Sequence, residues 1–151
     1  MREALDPQRI AEAVRDTMFA NDRASQGLGL RIDAIGPGTA TLSMTVREDM
    51  LNGFDICHGG FVTTLADSCF AFACNSHNEM TVASGFAIDL VAPSRLGDVL
   101  TARASETSLA GRTGVYDIRI TNQRDELIAV FRGRSYRMKG RPVVADLPLP
   151  G

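Results

Sequence analysis

The chain has no tryptophan, two tyrosines, two histidines and three cysteines among its 151 residues. So few histidines and cysteines leave little room for a structural zinc, which takes four nitrogen or sulfur ligands. Cys57, Cys69 and Cys74 are odd in number and lack CxxC spacing. No disulfide framework is therefore expected, and reduced thiols fit a cytoplasmic setting. No apolar run approaches the ~20 residues of a membrane span, and the opening MREALDPQRI lacks the apolar core of a secretory signal. Neither sign of charge dominates. Sixteen basic against eighteen acidic side chains give a formal charge of −2, too weak a field to draw the chain to nucleic acid or an anionic membrane. Internal repeats and low-complexity tracts are also missing. What remains reads as one soluble globular domain, 44% hydrophobic and long enough to bury ~70% of its unfolded surface without staples.

Periodicity divides the chain into an N-terminal helix and linker (1–27), a main body (28–139) and a loose tail (140–151). Residues 6–20 read as a helix: Asp6 can cap it, Pro7 suits its first turn, and Ile10, Val14 and Met18 recur on one face. Residues 21–29 are polar and glycine-bearing, as a linker would be. Strands are expected at about 28–35 and 39–46, joined by Gly36-Pro37-Gly38. MLNGFDICHGG, from Met50 to Gly60, has no usable period. GFVTTLADSCFAFACNS, from Gly60 to Ser76, has no internal glycine, no proline and one charge. It is too long for an ordinary strand and apolar nearly all round, so it predicts a buried helix. Four further strands follow, at about 80–91, 99–109, 114–122 and 127–138, with Tyr116, Ile118 and Ile120 alternating against polar neighbours. One buried helix among about six strands gives an α+β fold, a curved antiparallel sheet around a central helix. A doubly wound fold is excluded because helices do not alternate with the later strands.

Asp67 is the most informative residue. It is the sole carboxylate of that helix, among Leu65, Ala66, Phe70 and Phe72, and a buried carboxylate is costly unless paired. Either it lies on a solvent-facing stripe or it does chemistry. His58-Gly59-Gly60 precedes the helix, where free backbone N–H groups and the helix dipole suit a developing oxyanion. The same glycines would equally serve as a flexible junction. Asn52 can orient a water or a loop carbonyl, or merely shape a turn with Gly53. Eight residues separate Gly59 from Asp67, about 12 Å along a helix at ~1.5 Å per residue. One carbonyl cannot be held by the first and attacked from the second within one chain, so a catalytic role for both demands an oligomer. Cys57-His58 lacks a third group for a thiolate nucleophile, and Asp55, Cys57 and His58 fit no familiar zinc pattern. His77 would interact with carbonyls at the helix end. Arg132, Arg134, Arg137 and Lys139 make the last strand basic, either a solvated face or a phosphate-binding patch.

MLNG, CHGG, LADSCFAFACNS and the later GRTGVYDI together resemble the hotdog-fold acyl-CoA thioesterases of the phenylacetate-degradation type, over about residues 19–138. The resemblance implies Asp67 as nucleophile or general base toward the thioester. It implies the Gly59 N–H as the group that polarises the carbonyl from the opposite subunit, and Asn52 and His58 as residues that place the carbonyl and the attacking water. Gly60 and Phe54 would line the substrate, and Arg112 and Thr113 would lie near the nucleotide. Substrates would resemble phenylacetyl-CoA and its hydroxylated forms, with no metal or redox cofactor and a dimer of dimers as the assembly. Phe54-Asp55 departs from the family loop, where smaller or more polar residues are expected, and a bulky Phe54 would reshape the acyl pocket. Two rival activities use the same groove: an enoyl-CoA hydratase or dehydratase, which needs a His–acid pair converging on one carbon, and an acyl-CoA binding protein without catalysis.

Overall fold

The computed structural model describes residues 5–151. Helix α1 spans Pro7–Asn21, and Asp6 caps it by accepting the Gln8 N–H at 3.1 Å. The segment expected to be a linker contains a second helix, α2 (Arg23–Gly27), because Asp22 accepts the Ser25 N–H and so caps a new turn. Six strands follow: β1 (Arg31–Gly36), β2 (Thr39–Thr45), β3 (Thr81–Leu90), β4 (Val99–Ala110), β5 (Thr113–Thr121) and β6 (Leu127–Arg137). Between β2 and β3 lies the long helix α3, Gly59–Asn75. The strands form one antiparallel sheet in the order β1-β2-β4-β5-β6-β3, so β1 and β3 are its edges. The expected α+β architecture holds, with element ends within a few residues of those read from periodicity.

Helix α3 packs on the concave face of the sheet, touching β2, β4, β3, β5 and β6. Val62, Leu65, Ala66, Cys69, Phe70, Phe72 and Ala73 are buried along it, each large side chain contributing about 1.5–3 kcal/mol of transfer free energy. The sheet answers with Leu42, Met44, Leu100, Tyr116, Ile118, Ile120 and Phe131. Phe70 is the pivot: its ring lies 5.6 Å from Tyr116 and 5.9 Å from Phe131 between centroids. Gly133 makes that seat possible, since a Cβ there would stand 2.8 Å from the Phe70 ring.

The tail, expected to be loose, is tied down. Asn78 is fully buried and held at φ 69. Its Nδ2 donates to the carbonyls of Val144, Leu147 and Pro148, and its Oδ1 accepts the Val144 N–H at 2.8 Å. A single amide, its two N–H hydrogens shared among three carbonyls, thus ties four backbone groups of a segment that has no periodicity of its own.

Gly133→Ala should destabilise the fold by about 1–3 kcal/mol, because the added methyl meets a rigid ring rather than a flexible chain end. Thermal denaturation would show the loss, and Phe70→Leu in the same chain should restore part of it. An unchanged midpoint for Gly133→Ala alone would mean that α3 does not press on β6 here.

Candidate active site

The loop before α3 is built by backbone hydrogen bonds. Leu51 and Cys57 form an isolated antiparallel bridge, and the Asn52 N–H donates to the Ile56 carbonyl at 2.8 Å. The Asn52 side chain organises the turn from within: its Oδ1 accepts the N–H groups of Phe54 at 2.9 Å and Ile56 at 3.3 Å. Only its Nδ2 is left to face a ligand. Asp55 completes the turn at φ 57, a conformation that aspartate tolerates. The result is a tied loop that holds Phe54 in solvent, 84% exposed.

His58 is the N-cap of α3, and its Nδ1 accepts the Gly60 N–H at 3.2 Å. That bond assigns the proton of the neutral imidazole to Nε2. It also occupies the Gly60 N–H, so this glycine, expected to touch substrate, contributes no free donor. The Gly59 N–H has no partner among the described residues. It stands at the positive end of a helix dipole and beside a cavity of about 460 Å³ lined by Asn52, Ile56, Val62, Leu90 and Ser94, among others. A Cβ on Gly59 would meet the Leu90 Cδ1 at 2.6 Å, so glycine here lets the end of β3 lie against the helix start.

Asp67 does not line that cavity. It lies about two turns along α3, half-buried and without a hydrogen-bond partner among the described residues. Burial raises its pKa above the ordinary carboxylate value, and the nearby Asp22 carboxylate raises it further. The Cys57 thiol, which does line the cavity, is pushed up to about 11 by burial. At neutral pH it is a thiol rather than a thiolate nucleophile. His58 is committed through Nδ1 to capping the helix that carries Asp67 two turns further on, so the two do not converge within one protomer.

The remaining predicted residues lie elsewhere. The Arg112 guanidinium sits 6.0 Å from the Tyr136 ring centroid. Thr113 Oγ1 donates to the Ala110 carbonyl, and Thr113 borders a separate hollow with Ser84, Arg134 and Ser135. The basic strand is largely neutralised. Arg132 grips Asp117 in two hydrogen bonds of 2.7 and 3.1 Å, which lowers the Asp117 pKa. Arg137 donates to the Gly111 carbonyl and lies 3.5 Å from Glu79. Arg134 makes no ion pair among the described residues. His77, expected on helix-end carbonyls, instead meets Glu106 Oε1 at 2.8 Å, the atom that also accepts the Tyr116 hydroxyl. Sequence reasoning missed Leu90 and Ser94 as cavity residues. No local pattern marks them; the Cys57 N–H bond to the Ser94 carbonyl, 2.8 Å, joins the two segments.

Residues 54–129 match the family model described as "Thioesterase superfamily", which is half of the chain. The chain belongs to the thioesterase superfamily. Among sequence relatives, the Escherichia coli K12 protein named "Acyl-coenzyme A thioesterase PaaI" is 46% identical over 123 residues, 82% of this chain and 88% of the relative. Among solved structures, that of the E. coli PaaI protein from the phenylacetic acid degradation operon superimposes with a TM-score of 0.88 at 42% identity. It covers 90% of this chain and 99% of that one. A PaaI structure from Thermus thermophilus, an N33D mutant, gives 0.75 at 35% identity, covering 78% and 100%. The thioesterase assignment agrees with the hotdog arrangement of sheet and helix described above.

The raised pKa of Asp67 has a consequence for stability. Between the ordinary carboxylate value and the raised one, the folded state binds more protons than the unfolded state. Stability therefore falls as pH rises through that window. Asp67→Asn should lift this penalty and raise the melting temperature at neutral pH, with the gain vanishing below the ordinary carboxylate range. A variant that melts lower than wild type at pH 7 would show that the carboxylate has a stabilising partner.

Proposed function

We propose that this thioesterase hydrolyses acyl-coenzyme A, with aromatic acyl groups such as phenylacetyl or hydroxyphenylacetyl in the Gly59 cavity and two copies of the chain building each site. The observation that carries this reading is the split within α3: an unpartnered N–H at its start faces a cavity, while its half-buried carboxylate lies outside that cavity. The E. coli relative's name supplies the acyl-CoA class, and its operon supplies the phenylacetic acid theme.

In this mechanism the Gly59 N–H binds the thioester oxygen as it becomes an oxyanion. Asp67 of a second copy takes a proton from water while the water oxygen attacks the carbonyl carbon. Collapse of the tetrahedral intermediate breaks the C–S bond, and the departing thiolate takes the proton that Asp67 removed from water, giving free acid and coenzyme A. Burial that raises the proton affinity of Asp67 favours this base role over direct attack with an anhydride intermediate. Asn52 Nδ2 and the His58 Nε2–H place the carbonyl and the water. Phe54, projecting from its rigid loop, reaches toward the neighbouring copy and shapes the acyl pocket there. Arg112, Thr113 and Arg134, which makes no ion pair among the described residues, suit the phosphates of the coenzyme. No metal or redox cofactor enters.

Support for assembly comes from β3. It is an edge strand whose Val82, Phe86 and Leu90 are all exposed, followed by exposed Val91. A long apolar edge of this kind invites pairing with another strand. Two copies joined there form a dimer through the strand that ends beside Gly59, and dimers then pair into a dimer of dimers.

Asp67→Asn should lower thiol release from phenylacetyl-CoA by at least 10²-fold, the scale of general-base catalysis. A variant that stays within about tenfold of wild type would sink the role of Asp67. Gly59→Pro, which removes the Gly59 N–H at the first helical position, where proline is well accommodated, should also lose most activity. Refolding the two inactive variants together at equal amounts should restore about a quarter of wild-type activity, since half the dimers would be mixed and each would carry one intact site. No recovery would place both residues in a single-chain site.

A further inference from the structure

Asp22 stands where α1 ends and α2 begins, and that corner holds its carboxylate still. Its N–H donates to the Phe19 carbonyl at 3.2 Å, closing α1. Its Oδ1 accepts the Ser25 N–H at 3.0 Å, which caps α2, and its Oδ2 accepts the Ser25 hydroxyl at 2.6 Å. Ser25 is fully buried, and its Oγ lies 2.9 Å from Ser68 Oγ. Because Ser25 gives its proton to Asp22, the Ser68 hydroxyl is the donor of that second bond. A directional chain therefore runs from Ser68, the residue after Asp67, to the Asp22 carboxylate. One carboxylate is fixed two hydrogen bonds from the turn of α3 that carries the other.

The other charged groups around α3 are engaged elsewhere. On α1, Arg15 bonds to Asp16 and Glu12 accepts from Gln8, and Arg23 of α2 is exposed. The strands under the helix present apolar side chains, and Glu106 is held near the far end of α3 by Tyr116 and His77. On α3 itself His58 caps the start, and the Cys74 thiol, pushed up to about 12 by burial, is neutral. Neither Asp22 nor Asp67 makes an ion pair among the described residues. Burial and then the Asp22 charge hold the Asp67 proton affinity above that of an ordinary carboxylate. The cap itself does not need this charge, since asparagine and serine serve as well as aspartate at the start of a helix.

We infer that Asp22 is a positioning residue for the thioesterase reaction, whose negative charge, held at the start of α2, makes Asp67 a stronger base toward the attacking water. The inference rests on the base role of Asp67 proposed above. An ordinary carboxylate is a weak base near neutral pH, and general-base catalysis gains as the proton affinity of the base approaches the working pH. A fixed like charge supplies that gain without touching the substrate. The path of the proton, from water to Asp67 to the departing thiolate, is unchanged.

The test reads kcat/KM for phenylacetyl-CoA against pH in wild type, Asp22→Asn, Asp22→Ser and Ser25→Ala. Asn and Ser keep a neutral cap on α2 and remove the charge. Both variants should move the acid limb of the profile to lower pH and lower the plateau by about two- to fivefold, the cost of a weaker base. Ser25→Ala keeps the charge and the backbone cap but breaks the chain to Ser68. It should melt lower and leave the limb in place. A limb that stays put in both Asp22 variants would overturn the inference, as would an equal displacement in Ser25→Ala, which marks packing rather than charge. If the thioester is not cleaved, or if Asp67→Asn retains the limb, the base role of Asp67 fails, and NMR titration of the Asp67 carboxyl carbon decides the influence of Asp22. A midpoint lower in Asp22→Asn than in wild type upholds it. Equal midpoints overturn it.

Discussion

A helix that is apolar on nearly every side has to be enclosed, and the rest of this molecule follows from that constraint. Helix α3 cannot lie on a flat sheet without leaving half its surface in water. The sheet therefore curves around it, with Phe70 seated on Gly133 and flanked by Tyr116 and Phe131. Enclosure leaves the helix few contacts with solvent. One is its N-terminus, where backbone N–H groups have no intrahelical partner; another is the stripe that carries Asp67. Polar chemistry on α3 is thus confined by packing to its mouth and to one position on its flank.

These two places are used differently. At the mouth, His58 satisfies the Gly60 N–H and leaves the Gly59 N–H open, so capping selects a single donor from the first turn. On the flank, the enclosure that stabilises α3 also withholds water from Asp67, and Asp22 adds like charge. A carboxylate held in this way accepts a proton more readily than an exposed one. The N-terminal α1–α2 unit accordingly takes part in the electrostatics of the flank. Asp22 accepts both the N–H and the hydroxyl of Ser25, which in turn meets Ser68, the residue after Asp67.

Features that depend on local periodicity were legible in the sequence. The length and composition of α3, the Gly36-Pro37-Gly38 turn between β1 and β2 and the alternation of Tyr116, Ile118 and Ile120 all state their structure within a few residues. The HGG step at the start of α3 and the solitary Asp67 were legible for the same reason, since each is an exception to its local pattern. What was not legible is set by register and by contacts between distant segments. The basic strand reads equally as a solvated face or a phosphate patch, and only the antiparallel pairing of β5 with β6 shows that Arg132 is neutralised by the Asp117 opposite it. The tail looked loose because the amide that holds it, Asn78, lies more than sixty residues earlier. Ser94 belongs to the cavity only because its carbonyl bonds to Cys57. Asp22 falls in a segment without a period because a five-residue helix is too short to show one.

In the mechanism proposed above, the geometry of α3 also ties activity to assembly. Gly59 and Asp67 lie about 12 Å apart along a rigid rod, and no rotamer change in one protomer can bring them to the same carbonyl. If both serve one reaction, a second copy has to present its helix across the open edge of β3. That edge is a liability in isolation: Val82, Phe86 and Leu90 are exposed on a strand with unpaired backbone groups. Pairing would remove the liability and complete the site in the same step, because β3 ends with Leu90 against Gly59. In the proposed mechanism an isolated protomer would retain a polarising N–H without a base, and a base without a bound carbonyl. On this account the exposed edge and the incomplete site are two aspects of one device, in which association of the chain is the condition for its chemistry.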